Sequence, residues 1–534
     1  MKEIRSSMMK SVLPLLAAAT LIGAGAASAQ DYDIVLKGGR VMDPATSLDA
    51  AMNVGIKGGK IAAVTRDRLT GKDVIDVKGL VVAPGFIDTH MHSVDVVDGW
   101  FLAQDGTTTQ MELEFGRSPV AQAYDFIQKR GGHPINYGFS AGWPQARATV
   151  MTGKTFEASW DGVNEAFVSP WGNKVATTAQ QDRIMAILQK DLDDGALAIG
   201  YPPAYGSGAG AKESIRLWQL AAANNVPVSV HSRYQSMLDP DSSVQAFNEL
   251  IGNAASTGAH GILCHIHLLG LNDPYMLLNM VRKARENGLK LTTEVYPFGT
   301  TAPPISADYL KWDNANERIG FEWNKVRTES KPHYHFKDEA DFRKMQKEKP
   351  GAFVEMQYID ESTPEGLAAM RAAITFPDTI PAADGTGYEW KGKPKGSDKL
   401  GPGSQAAIWP IPADASGEPR ATSTHAVILG RWTRELGALT LMQALANSSY
   451  VPAKALEDHV PQFKTKGRLQ VGMDADIAVF DFGKVKANAT WDDVTALNDG
   501  FHHTIVNGVF VLKNGKIQQN VMPGQQIRRA VKAQ

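Results

Sequence analysis

The sequence predicts an α/β protein: a TIM-like (β/α)8 barrel carrying a small β-sandwich assembled from both chain ends. Three observations predict it. An apolar run, Pro84-Gly-Phe-Ile-Asp-Thr-His90-Met-His92, ends in two histidines spaced by one residue. Downstream, short apolar runs of strand length alternate with helical stretches, for example 196–200, 211–223 and 226–230, which is the pattern of a parallel sheet with crossover helices. The two ends of the chain instead carry short alternating segments separated by glycine-rich turns, which read as antiparallel sheet.

At the N-terminal end those segments are 33–36, 41–42, 52–56, 60–64 and 74–77, with Gly38-Gly39 and Gly58-Gly59 as turns. The last seventy or so residues repeat the style at 475–480, 504–507 and 509–512, with a turn at Asn514-Gly515. The expected organisation is a signal peptide over 1–29, sandwich over 30–84, barrel over 85–465 and the rest of the sandwich over 466–534. Residues from about 300 to 370 are rich in Lys, Glu, Trp and His, break the strand–helix rhythm and read as an insertion of the kind that forms lids or binding loops.

Lys2, Arg5 and Lys10 precede an apolar segment over 12–26 and then Ala27-Ser28-Ala29, the three parts of a cleavable secretory signal, with cleavage expected after Ala29. The apolar segment is shorter than the ~20 residues a membrane-spanning helix needs. The mature chain is therefore expected in the periplasm or outside the cell, without stable membrane association. The formal net charge is -2, with both signs scattered evenly, which argues against a nucleic-acid partner and for a small-molecule substrate. The single cysteine, Cys264, allows no intrachain disulfide and reads as a buried strand residue, with a metal ligand beside His265 as the alternative. The oligomeric state is left open, an oligomer being allowed.

Side chains two apart on a strand share a face, so His90 and His92 at the C-terminal mouth of a barrel can hold one metal between two imidazoles. Two more apolar runs close on histidines, at His231 and His265, and each follows a helical stretch. Glu112 and Glu114 follow the threonine-rich run 107–109, and Asp384 follows 380–383. Four histidines and these carboxylates converging at strand ends have the chemistry of a hydrolytic metal site: imidazoles suit Zn2+, a carboxylate can bridge two ions, and a free aspartate can move protons.

These residues resemble the amidohydrolase superfamily, specifically its N-acyl-D-amino-acid deacylase branch. The similarity runs from Asp33-Ile-Val-Leu-Lys-Gly-Gly39 through the Pro84–His92 motif, Gly195-Ala196 with Tyr201-Pro202, His231-Ser232-Arg233 and Val295-Tyr296-Pro297. It continues through Pro419-Arg420 and Gly430-Arg431 to Gly472-Met-Asp-Ala-Asp476. The resemblance implies that His90 and His92 bind the more buried metal, that His231 and His265 bind the second, and that Asp384 is the proton shuttle and a further ligand. One or two Zn2+ ions per chain are expected.

The chain departs from that family at three places. The D-aminoacylases have a cysteine ligand just after the second strand, where this chain has Glu112, Glu114 and Phe115; Glu114 is then the expected bridge, with Glu112 the alternative, since strand parity points both the same way. The lysine two residues beyond the strand-six histidine is His267 here, and a Gly-His pair on strand three is Gly142-Trp143. The fourth strand contains no lysine, so a carboxylated-lysine bridge is not expected. For the substrate carboxylate, Arg233, Tyr296 and Arg420 are candidates, with His267 a pH-dependent contact because imidazole titrates near ~6.5.

The activity this predicts is hydrolysis of an amide on an N-acylated amino acid, of D configuration by the resemblance, by metal-activated water. The alternatives are a dipeptidase of the prolidase or isoaspartyl-dipeptidase type on the same scaffold, and a secreted metal-binding protein without catalysis. The second is disfavoured because structural zinc sites usually have four closed protein ligands.

Overall fold

The computed structural model describes residues 31–271 and 274–532; the expected signal peptide and its cleavage point lie outside the described residues. The N-terminal end supplies β1 (Asp31–Asp43), β2 (Leu48–Lys57), β3 (Lys60–Thr65), β4 (Thr70–Asp76) and β5 (Val81–Pro84). Seven barrel strands follow: β6 (Phe86–Asp88), β7 (Thr107–Arg117), β8 (Asn136–Gly142), β9 (Ile199–Tyr201), β10 (Val228–Val230), β11 (Gly261–Leu263) and β12 (Leu291–Val295). After β13 (Thr300–Thr301), β14 (Arg327–Thr328) and β15 (Val354–Gln357), the barrel is completed by β16 (Thr379–Pro381). The C-terminal end adds β17 (Ile477–Phe480), β18 (Phe501–Val506), β19 (Val509–Lys513) and β20 (Lys516–Ile517).

The eight barrel strands pair in parallel in the order β16-β12-β11-β10-β9-β8-β7-β6. The seam between β16 and β6 is drawn together just beyond the strands, where the Asp384 N–H donates to the His90 carbonyl at 2.6 Å and the His92 N–H to the Gly385 carbonyl at 2.9 Å. Asp88 ties the same seam, accepting from the backbone N–H groups of His90 (2.9 Å) and Ala383 (3.0 Å). Strand residues buried on both sides are why these segments read as apolar runs. Ile87, Met111, Leu113 and Ile262 pack with Ala453, Leu456, Phe463 and Ile527 in one apolar cluster.

The two chain ends build one nine-stranded sheet, ordered β20-β19-β18-β17-β5-β1-β2-β3 with β4 paired to β1. Strand β17 runs antiparallel to β5, with Ile477 opposite Pro84, so the N-terminal and C-terminal parts are continuous through hydrogen bonds. The sheet curls into a sandwich: Leu36, Val54, Ile61, Val82, Ile477, Ile505 and Phe510 form one apolar cluster, and the turn at Gly58-Gly59 meets the turn at Asn507-Gly508. A Cβ on Gly508 would sit 2.8 Å from the Gly59 backbone, and φ is +80° there, so only glycine fits.

The insertion between β12 and β16 carries the small sheet β13-β15-β14 and an aromatic cluster of Phe321, Trp323, Phe336 and Phe342. Its strands are only two to four residues long, which explains their weak signal in the sequence. Among the described residues, no helix is long and apolar enough to cross a membrane.

One buried ion pair ties two barrel helices. Arg147, on the helix Trp143–Thr152, is fully buried against Glu213 at 3.0 Å, on the helix Ala211–Ala223. Its two Nη atoms donate to the carbonyls of Trp171 and Lys174, both at 2.6 Å, and the Trp143 indole donates to Glu213 at 2.9 Å. Trp143, the departure on the third strand, therefore serves packing. Truncating Glu213 to Ala leaves a buried guanidinium without its partner and is expected to cost about 3–5 kcal/mol. A urea-denaturation midpoint equal to that of the wild-type chain would count against this account.

Candidate metal centre

Each polar residue at the mouth is delivered by the end of a strand. His90 and His92 follow β6, His231 follows β10, His265 follows β11 and Asp384 follows β16. Glu114 arrives differently. The pairing of β7 with β8 jumps from Glu112–Phe139 to Arg117–Ala141, so that residues 113–116 bulge out opposite Ser140 alone. Gly116 permits the bulge: its φ is +67°, and a Cβ there would lie 2.5 Å from the Ser140 hydroxyl.

The bulge separates the two glutamates. One oxygen of Glu114, Oε2, lies 3.0 Å from His90 Nε2 and 3.5 Å from His92 Nε2. The other, Oε1, lies 2.7 Å from His231 Nδ1 and 3.2 Å from His265 Nε2. Asp384 Oδ1 is 3.1 Å from the Nε2 atoms of both His90 and His92. Three buried groups among the described residues have their donor atoms within 4.8 Å of one another: His90–His92–Glu114–Asp384 and Glu114–His231–His265 at the mouth, and His90–Cys264–Glu294 behind His90. Glu114, of the two glutamates, stands in the bridging position.

Glu112 lies behind His92, its Oε2 2.7 Å from Nδ1, and Glu294 lies behind His90, its Oε2 3.1 Å from Nδ1. Glu294 also accepts from the Thr89 hydroxyl. Neither role is evident from spacing, but a glutamate inside the otherwise apolar and hydroxyl-bearing run of β12 is a visible signal, because an acid buried on a strand needs a partner. Cys264 is buried, its Sγ 3.3 Å from the Ser229 hydroxyl.

The electrostatics ask for a cation. Burial disfavours the charged form of His90, but the carboxylates of Asp384 and Glu114 outweigh it and hold its pKa well above the ordinary value. Burial acts likewise on His92, and Glu112 and Asp384 raise it to about 9. Burial raises the carboxyls of Glu114 and Asp384, yet His90 and His231 around the first, and Arg420 and His90 around the second, hold both well below the usual range. A donor set whose carboxylates draw protons onto the facing imidazoles is one in which a divalent ion fits.

A chamber of about 20 Å3 sits above these ligands, walled by Phe115, Tyr205, Leu268, Tyr309 and Phe353, with Thr301–Pro304 of the insertion across the top. It adjoins a cavity of about 360 Å3 past Tyr205 and Pro304, and another of about 400 Å3 past Phe353 and Thr386. These aromatic walls carry no signal in the sequence, since nothing there marks which insertion residues return to the mouth.

Of the residues expected to meet a substrate carboxylate, Arg420 lines the chamber. Its Nη1 donates to Asp384 Oδ2 at 2.7 Å and its Nε to Glu418 at 2.5 Å. Tyr296 lies beneath it, the ring 4.3 Å from the guanidinium carbon and the hydroxyl bonded to that of Tyr358 at 3.1 Å, so it supports Arg420 and is not part of the chamber wall. Arg233 is a correction. Its guanidinium is held by Glu249 at 2.9 Å and by the Ala209 carbonyl at 2.6 Å, and it borders a separate cavity, because the chain turns outward after His231. His267 is a second correction: it is fully buried with its ring 4.2 Å from that of Tyr296, and burial, then the neighbouring His265 and Arg420, hold its pKa well below 6.5. It stays neutral near pH 6.5 and is not a titrating contact.

No family model matches the chain. An N-acyl-D-glutamate deacylase of Alcaligenes xylosoxydans xylosoxydans is 26% identical over 529 residues, 94% of this chain and 97% of that protein. Among solved structures, a D-aminoacylase described as defining a novel subset of amidohydrolases superposes with a TM-score of 0.72 at 20% identity, covering 93% of this chain and 100% of that one. The N-acyl-D-glutamate deacylase from Bordetella bronchiseptica, complexed with zinc and a phosphonate inhibitor that mimics the tetrahedral intermediate, gives 0.70 at 21% identity with the same coverage. The fold is theirs along nearly the whole described chain.

Proposed function

We propose that this chain, an amidohydrolase of the N-acyl-D-amino-acid deacylase type by its barrel, its ligand set and its full-length relatives, cleaves the amide bond of N-acyl-D-amino acids. The observation that carries the proposal is Glu114, one oxygen facing His90 and His92 and the other facing His231 and His265. His90, His92, Glu114 and Asp384 would hold one Zn2+, and Glu114, His231 and His265 a second. Zinc bound there supplies a Lewis acid for the amide carbonyl and lowers the pKa of water to ~7.

The remaining work falls to the chain. Asp384 accepts a proton from the attacking water at Oδ1 and returns it to the leaving nitrogen, while its Oδ2 stays fixed by Arg420. Glu418 and Asp384 occupy three of the five Arg420 N–H donors, which leaves two for the substrate carboxylate. The aromatic walls exclude water from the reacting bond.

Arg420 is the one guanidinium or ammonium group lining the chamber among the described residues. With that cation assigned to the α-carboxylate, an acidic side chain meets no further cation within the chamber itself, and apolar D-amino acids are expected to be preferred over D-glutamate and D-aspartate. The test is amine release from N-acetyl-D-leucine, N-acetyl-D-phenylalanine, N-acetyl-D-glutamate and the L isomers, with zinc content measured before and after chelation. Chelator-sensitive release from the apolar D substrates supports the reading. Metal-replete protein inactive on all of them overturns it, and faster release from N-acetyl-D-glutamate overturns the side-chain preference alone. We place the mature enzyme in the periplasm or outside the cell on the N-terminal pattern, which N-terminal sequencing of fractionated protein tests.

A further inference from the structure

We infer that Glu112 is a positioning residue, which acts through His92 to fix the tautomer and orientation of that ligand and so sets how tightly the His90–His92 centre holds its metal. The inference rests on the metal-centre reading above.

Glu112 is completely buried and every polar contact it makes is accounted for. Its Oε1 accepts from the backbone N–H groups of Phe115 (2.9 Å) and Gly116 (3.3 Å), which anchors it to the bulge that delivers Glu114. Its Oε2 faces His92 Nδ1 at 2.7 Å, with Arg117 Nη1 3.5 Å away. A carboxylate only accepts, so Nδ1 must keep its proton, and Nε2, the atom turned toward Asp384 and Glu114, is the nitrogen left to give up a proton and ligate when a metal binds. The ring has little other freedom. Phe115, from the same bulge, stacks on it at 4.2 Å and 10°, Trp160 lies parallel at 5.4 Å, and Arg117 donates to the His92 carbonyl. One short segment thus supplies the bridging ligand, the hydrogen-bond partner and the aromatic clamp of a second ligand.

Glu112→Gln separates this role from packing. With its carbonyl kept on the Phe115 and Gly116 N–H groups, the amide places N–H against His92 Nδ1, which favours the tautomer that protonates Nε2 and blocks ligation. Metal-free protein is titrated with Zn2+ in competition with a chromogenic chelator, and repeated with Co2+ to read the visible ligand-field bands. Loss of such a partner lowers metal affinity by about 10–100-fold, so one of two equivalents is expected to weaken to that extent in Glu112→Gln, with altered Co2+ bands, while the other equivalent is unchanged. Glu112→Ala, which removes the acceptor without adding a donor, is expected to weaken the same equivalent less. Two unchanged equivalents, or equal weakening of both, would overturn the inference. Wild-type protein that binds no Zn2+ would overturn the metal-centre reading itself.

Discussion

Asp384→Asn is expected to retain metal and to lose turnover by about 10²–10⁴-fold, the range that a positioned proton-transfer group contributes. The substitution keeps the backbone and the Arg420 contact at this position and gives up one of four donor atoms around the first ion. Asp384 has a φ of +52°, a left-handed conformation that asparagine tolerates far better than most residues. The asparagine carbonyl can still accept from Arg420, where Asp384 Oδ2 now lies 2.7 Å from Nη1. His90, His92 and Glu114 remain to hold an ion. Steady-state rates on an N-acetyl-D-amino acid, taken together with zinc content, check the prediction; near wild-type kcat in a zinc-loaded variant would remove Asp384 from the proton-transfer role.

Glu114→Gln is expected to do more damage, because both ligand groups at the mouth share this side chain. The amide offers one oxygen and a nitrogen that does not ligate, and it removes the charge that faces four imidazoles. Zinc content is expected to fall to one equivalent or less. Turnover should drop by at least about 10³-fold, which corresponds to losing several kcal/mol of Lewis-acid stabilisation in the transition state. Metal analysis of dialysed protein beside the same kinetic assay decides it, and a variant that keeps two tightly bound ions would mean that Glu114 does not bridge.

Much of this site could be read before any coordinates, because a (β/α)8 barrel places the residues that follow its strands at one end. His90, His92, His231, His265 and Asp384 all sit at ends of apolar runs, and all five meet. Nearness to the strand end favours Glu114 over Glu112, but parity alone does not separate them, since it treats a strand as regular and the bulge over 113–116 is a tertiary event that depends on Gly116 and Ser140 meeting. Arg233 failed for a related reason. It follows His231 by two residues, but the chain has left β10 by then, and Glu249 on the helix Ser243–Thr257 captures the guanidinium. The insertion's contact with the mouth was not legible either: Pro303, Pro304, Tyr309 and Phe353 reach the chamber through a fold whose strands are too short to announce themselves.

The curled sheet has a consequence for how the chain is made. Strand β5 finds its neighbour β17 only after roughly 390 further residues have been synthesised, and β6, which carries the first two histidines toward the mouth, begins two residues beyond β5. At ~5–20 residues per second a ribosome takes about 20 s or longer to cover that distance. Through that interval one edge of β5, in the apolar sequence Val81-Val-Ala-Pro84, waits with its backbone groups unpaired, the state in which strands recruit the wrong partner. The pairing that completes β5 thus comes late in synthesis, next to the first metal-facing segment, so a chain cut short before Ile477 is expected to aggregate rather than persist as a barrel without its sandwich.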